Sequence, residues 1–461
     1  MKSNARNSQR KLSVIFKYGT GEIPFVLPDQ AELLWINEPE TRITAHEFAS
    51  RIHGVLERLD PDLTRVAVVV SDKTRLCGYP EFLPVLLETL KGFGALWNEI
   101  TVFIAYGTHL RQTHEESLVA YGDPYKRLRF VHHDCLDNSS FVNLGKTSRA
   151  TPVLIRRDIL DADFLITFGA ISHHYFAGYG GGRKLIFPGL GHRQAIYHNH
   201  GLFLDQEHRT LSALCQPGVL DGNPLAEDLA EYETFLSADL AIHGILDSMG
   251  NVCDLLPGAG SDHFRRACAQ HGKNCEMVCN REYDLVIASC GGYPKDINFI
   301  QSHKAIDNAS KFVRDGGRLI VLAECFDGVG STTFLPWFGL GDWEKTFHKL
   351  SENYEGNGGT ALSMMSKLRR IKILMVTELS DSVCGTMGIK KISVNQAKME
   401  VKQFSGSLAV IPNADLLIKR PAGCKSKPLE NADPCLLPNR GSEALFLEDR
   451  CQVSGSRNLK S

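Results

Sequence analysis

Between Ile171 and Gly189 the chain reads Ile-Ser-His-His-Tyr-Phe-Ala-Gly-Tyr-Gly-Gly-Gly-Arg-Lys-Leu-Ile-Phe-Pro-Gly, which gathers His173, His174, several glycines and Lys184 into one segment. Imidazoles suit proton transfer near neutral pH. A lysine among glycines can meet a phosphate or an electrophile. Gly180, Gly181 and Gly182 free the backbone for positive φ and for close approach to a ligand, and consecutive free N–H groups there would form a concave anion site. The segment is not a Walker A loop, because Arg183 and Leu185 flank the lysine. Nor is it a dinucleotide fingerprint, since no helix-opening pattern follows Gly182.

Other segments carry reactive side chains. Asp72-Lys-Thr-Arg75 offers either a local ion pair or an arginine free to grip a carboxylate in bidentate fashion. Gly107-Thr-His109 offers another imidazole. His198-Asn-His200 could chelate a metal if it lay on a strand, where alternate side chains share a face. One of the two binding a metal held mainly by a cofactor is equally compatible. Gln301 and Lys304 stand one helical turn apart and share a face; the lysine is either solvated or turned into a cleft. His271, Cys275 and Cys279 have helical spacing but no evident partner ligands, and read as ordinary helix positions.

Three apolar runs lead into the first of these groups. Arg65–Asp72, Ile100–Tyr106 and Asp163–Phe168 read as buried parallel strands. A helix over residues 82–90 follows the first, and the capping box Thr113-His-Glu-Glu116 starts another after the second. Strands alternating with helices imply right-handed crossovers, and ligands of such sheets lie beyond the carboxyl ends of the strands. That edge receives Asp72 and Arg75, then His109, then His173, His174 and Lys184. A hairpin is expected from Leu240 to Leu256. Strands at 284–289, 318–322, 371–376 and 408–411, with a helix from about 298 to 313 stopped by Asp315-Gly-Gly317, make a second unit. The expected fold is α/β: two α/β domains with mainly parallel sheets, at 12–265 and 266–417, and an active-site cleft between them. Residues 1–11 and 418–461 read as a disordered arm and tail.

The 461 residues hold 51 Lys and Arg against 53 Asp and Glu, which argues against a polyanion such as nucleic acid as the partner. No apolar run approaches the length of a membrane span. Thirteen cysteines without a repeating frame fit a reduced, cytoplasmic setting.

The order Ser71-Asp-x-Thr-Arg75, Gly107-Thr-His109, His174 ahead of the Gly178-Tyr-Gly-Gly-Gly-Arg-Lys184 segment, Asn199-His200, Gly222-Asn-Pro224 and Gly291-Gly-x-Pro-x-Asp296 resembles the lactate racemase family. The likeness spans roughly residues 12–417. It implies a racemase or epimerase that inverts the α-carbon of a 2-hydroxy acid by reversible hydride transfer. The cofactor implied is a nickel-pincer nucleotide, pyridinium-3-thioamide-5-thiocarboxylic acid mononucleotide, joined to Lys184 through a thioamide, with His200 completing a square-planar nickel site. Gly180, Gly181, Gly182 and Asp72 would lie against the cofactor. His109 and His174 would be the acid–base pair, and Arg75, Gln301 and Lys304 would hold the substrate. The enzymes that build the cofactor are implied as loading partners. Leu110, Gly180 and Gly358-Gly-Thr360 depart from the family's pattern, which admits a larger 2-hydroxy acid or a sugar acid as substrate. Two rival readings are a zinc-dependent hydrolase using His198, His200 and a carboxylate, and a non-catalytic relative that binds a nucleotide or metal.

Overall fold

Val66-Ala-Val-Val-Val-Ser71 is buried at every position, as a strand covered on both faces must be. In the computed structural model, which describes residues 12–420, it lies inside a six-stranded sheet. The order is Val252–Gly258, Leu240–Leu246, Phe164–Ala170, Val66–Ser71, Ile100–Ala105, Arg129–His132. All neighbours pair in parallel except the edge hairpin of the first two strands. The second sheet is wholly parallel, in the order Lys390–Lys391, Lys372–Val376, Val313–Leu322, Tyr283–Ser289, Leu408–Ile411, Ala31–Leu33. The architecture is therefore α/β with mainly parallel sheets. One hydrophobic cluster runs between the units, joining Val69, Phe103 and Leu165 of the first sheet to Val286, Leu319 and Met375 of the second.

Local signals hold where chemistry is local. Thr113 accepts from Glu116 N at 3.2 Å and Glu116 accepts from Thr113 N at 2.8 Å, opening the helix His114–Tyr121. Three expectations need correction. The helix expected over 298–313 runs only Phe299–Ser310, and Asp315-Gly-Gly317 lies inside the strand Val313–Leu322. There the pairing register shifts between Tyr283 and Leu285, and Gly316 takes φ +74°, so the glycines serve a bulge instead of a helix stop. Ile418–Arg420, expected in the tail, pairs in parallel with Glu276–Val278, because Arg420 reaches Glu276 at 2.9 Å. The rest of the expected tail and the arm 1–11 lie outside the described residues. The glycine segment, expected to present consecutive free N–H groups, is instead a hairpin, Ser172–His174 with Gly178–Gly180, followed by a 3-10 turn over Gly182–Leu185.

The chain start packs with the second unit: Ala31–Leu33 edges the second sheet, and Phe16 and Phe25 share a core with Leu285 and Ile320. Position 265 falls inside the helix Gly260–Cys275. Among the described residues no helix is long and apolar enough to cross a membrane.

Candidate active site

Adjacent strands Phe164–Ala170, Val66–Ser71 and Ile100–Ala105 end at one edge, and the segments that follow them enclose a cavity of about 110 Å³. Asp72, Arg75, His109, His174, Lys184 and His200 all line it. The His109 segment is pinned to the end of the lysine turn by Gly107 N donating to Gly189 O at 2.7 Å.

His109 and His174 are held as opposite tautomers. Asp72, 3% exposed, meets His109 Nδ1 at 2.7 Å through Oδ2, while its Oδ1 accepts from Thr74 N and Oγ1 at 2.8 and 2.6 Å. Burial pushes the Asp72 carboxyl up, but the hydrogen bond and charge of His109, with Thr74 and Arg75, outweigh it and hold it well below the usual carboxylate range. The carboxylate accepts a hydrogen bond from Nδ1–H, so a neutral His109 ring carries its lone pair on Nε2. His174 differs. Its Nδ1 accepts from Phe176 N at 3.3 Å and Ala177 N at 3.1 Å, so a neutral ring carries its proton on Nε2. Burial, then Lys184, Arg75, His200 and Lys304, pulls His174 well below the ordinary imidazole pKa, so the ring is neutral. One imidazole is set to accept a proton and the other to donate a hydrogen bond.

Lys184 is 7% exposed and its amine has no hydrogen bond or ion pair among the described residues. Burial, then Arg75, Arg183 and Lys304, lowers its pKa well below the ordinary lysine value. A neutral amine is a nucleophile. Arg183 turns away, donating to Ala226 O at 2.8 Å and stacking over Phe264 at 5.1 Å. His200 directs Nδ1 to Ile196 O at 2.7 Å, which leaves Nε2 with the lone pair a metal would use. Burial, then Lys184, brings it down to about 4. Arg75 has no ion-pair partner within reach among the described residues, so the local Asp72–Arg75 pair does not form.

Gln301 and Lys304 enter from the second unit on the helix Phe299–Ser310, and Lys304 Nζ donates to Gln301 Oε1 at 2.8 Å. Neither lines the cavity itself. Lys304 is half-buried, not a solvated charge, and burial followed by Arg75 lowers it to about 7. The units also meet where Tyr175 Oη and Thr360 Oγ1 lie 2.9 Å apart.

The glycines divide. Gly181 lines the cavity at φ +80°, and a Cβ there would stand 2.2 Å from Ala170 O. Gly182 instead faces Phe264 and His243, and Gly180 faces Ser172. Gly181→Ala should therefore lower stability by about 1–3 kcal/mol through backbone strain alone, read as a fall in urea midpoint. His198 is elsewhere, with Nδ1 at 3.0 Å from Thr151 Oγ1. It shares the helix Arg193–Gly201 with His200, where a two-residue step turns the side chain by about 200°, so the pair cannot chelate one ion. His173 points to the other face of its strand, toward Glu276 at 2.9 Å. Sequence reasoning missed the two backbone donors on His174 and the Ile196 carbonyl behind His200, because such partners leave no side-chain signature.

Comparison with known proteins identifies the family. Family models for the lactate racemase N-terminal and C-terminal domains match residues 18–212 and 278–414. A lactate racemase from Thermoanaerobacterium thermosaccharolyticum is 29% identical over 339 residues, covering 70% of this chain and 76% of the relative. A lactate racemase from Lactiplantibacillus plantarum is 30% identical over 281 residues, covering 60% and 64%. The structure of the Thermoanaerobacterium lactate racemase apoprotein superposes with a TM-score of 0.80 at 24% identity, covering 89% of this chain and 100% of that one. A Thermotoga maritima protein shares the fold, with a TM-score of 0.65 at 15% identity over 84% of this chain and 100% of that one. With both of its domains matched in order, the chain belongs to the lactate racemase family and is a racemase, an enzyme of the isomerase class.

Proposed function

We propose that this racemase inverts the α-carbon of a 2-hydroxy acid by reversible hydride transfer to a nickel-pincer nucleotide carried on Lys184. The observation that carries the reading is the pair of oppositely set imidazoles, His109 and His174, in one cavity with an unpaired lysine that burial holds well below its ordinary pKa. The residues fit such a group. Lys184 offers the amine for a thioamide, His200 an oriented Nε2 for nickel, and Gly181 a stretch of wall without a side chain. When bound, the group supplies the hydride acceptor and donor.

The chain supplies position, charge and protons. Arg75 and Lys304 match a substrate carboxylate. His109 Nε2 takes the hydroxyl proton of one enantiomer, and the Asp72 carboxylate stabilises the imidazolium that results. His174 serves the other enantiomer. For that it must free Nε2, which means giving up the long contacts from Phe176 and Ala177. The converging cations Arg75 and Lys304 favour an anionic substrate over a neutral alcohol.

Lactate is the first substrate to assay, since the relatives are lactate racemases. Protein co-expressed with the enzymes that build the pincer nucleotide should carry nickel and interconvert the enantiomers of lactate or of a larger 2-hydroxy or sugar acid. Nickel-loaded protein that turns over none of them would exclude the reading. Lys304 gives a pH test. Its folded pKa is depressed to about 7, so free enzyme loses this cation as pH rises through that value. Since kcat/KM reports free enzyme, it should fall above about pH 7, mainly through KM. Lys304→Arg should flatten that limb, and a limb unchanged in the variant would remove Lys304 from substrate binding.

A further inference from the structure

Outside the cavity, three metal-binding side chains converge with ring nitrogens left unpartnered. His271 and Cys275 are one turn apart on the helix Gly260–Cys275, each 3% exposed. His173, from the hairpin strand Ser172–His174, meets them, with its ring centroid 4.9 Å from that of His271. One donor atom from each of the three lies within 4.8 Å of the others. Neither nitrogen of His271 has a hydrogen-bond partner, and neither has Nδ1 of His173. Leaving a buried polar atom unpaired costs about 1–3 kcal/mol, so orphaned nitrogens in one buried cluster call for a ligand.

We propose that His173, His271 and Cys275 form a zinc site, separate from the Lys184 cavity, that ties the hairpin carrying His174 to the helix Gly260–Cys275. Two imidazoles and a thiolate suit a borderline-soft ion with tetrahedral preference. Ligand bonds of about 2.0–2.3 Å place tetrahedral donors roughly 3.3–3.8 Å apart, so modest side-chain rotation closes the cluster. On binding, the Cys275 thiol forms the S–Zn bond and its proton leaves to solvent. The partners behind the ligands are already built. Glu276 Oε1 lies 2.9 Å from His173 Nε2, which leaves Nδ1 as the free lone pair. Tyr179 Oη and Arg420 Nε hold that carboxylate at 2.8 and 2.9 Å. A carboxylate behind a histidine is the arrangement that orients metal-bound imidazoles. Cys279 does not take part; its thiol donates to Arg281 O at 3.6 Å. His173 and His174 are consecutive on a strand and face opposite sides, so the cluster lies behind the wall that carries His174.

The test uses the full chain expressed without the pincer-building enzymes, in medium supplied with zinc or, separately, cobalt. Wild type should retain about one equivalent of zinc. Its cobalt form should show sulfur-to-cobalt charge transfer in the near ultraviolet. Cys275→Ser should abolish that band, and Glu276→Gln should weaken binding about 10–100-fold. His200→Ala and Lys184→Ala should leave the band intact, which separates this site from the cavity and from the proposed function. Wild-type protein without the band, or a band that survives Cys275→Ser or disappears in His200→Ala, would overturn the assignment. Because the first readout is on wild type, a variant that fails to fold does not blunt the test.

Discussion

His109→Ala should slow racemisation by about 10²–10⁴-fold, the usual contribution of a positioned acid–base group, or about 2.7–5.5 kcal/mol of barrier at 1.36 kcal/mol per tenfold. The physical reason lies in the tautomer. Only Nε2 of His109 carries a lone pair toward the cavity, and it does so because Asp72 holds Nδ1 at 2.7 Å. Asp72→Asn should therefore also slow turnover, by losing the charge that stabilises the imidazolium. Since Asp72 acts through His109, the double variant should be no slower than His109→Ala alone. Losses that multiply would mean Asp72 acts independently, on cofactor or substrate. Chiral chromatography after single-enantiomer incubation, with nickel content measured in parallel, separates a chemical defect from a loading defect.

Lys184→Ala should remove racemisation to the assay floor, a fall of more than about 10⁵-fold, together with any mass increase on the Lys184 peptide. Among the described residues nothing nearby can replace the amine. Arg183 is committed to Ala226 O, and Lys304 is bonded to Gln301 on the other unit. The stability outcome should run the opposite way. The folded chain holds Lys184 well below its ordinary pKa, so at neutral pH it binds fewer protons there than the unfolded chain. That lowered affinity costs stability below the unfolded pKa, and the cost diminishes as pH rises. Removing the amine should leave the melting temperature unchanged or higher. Activity lost with a raised melting temperature assigns the defect to chemistry. Activity retained in Lys184→Ala would sink covalent attachment at this residue.

Much of the site was legible because it follows strand ends. Apolar runs at 66–70 and 100–105 announce buried parallel strands, and residues just beyond such strands meet at one edge. Asp72, His109 and His174 were found that way, and all three line the cavity. Where two readings competed at equal spacing, the sequence had no means of choosing. His198 and His200 look alike in sequence, yet helix geometry sends them apart. Lys304 could have been a solvated charge until the packing of the second unit brought it near Arg75.

What the amino-acid order determined by itself was the α/β class, the main buried strands, the Thr113 cap and the family, because these rest on local pattern. What only the tertiary structure decided was protonation and partnership. The tautomers of His109 and His174 are set by a carboxylate on one side and backbone N–H groups on the other. The meeting of His173 with His271 joins residues far apart in the chain. Contacts of that kind depend on which faces the folded sheets and helices bury against each other, and no short-range pattern encodes them.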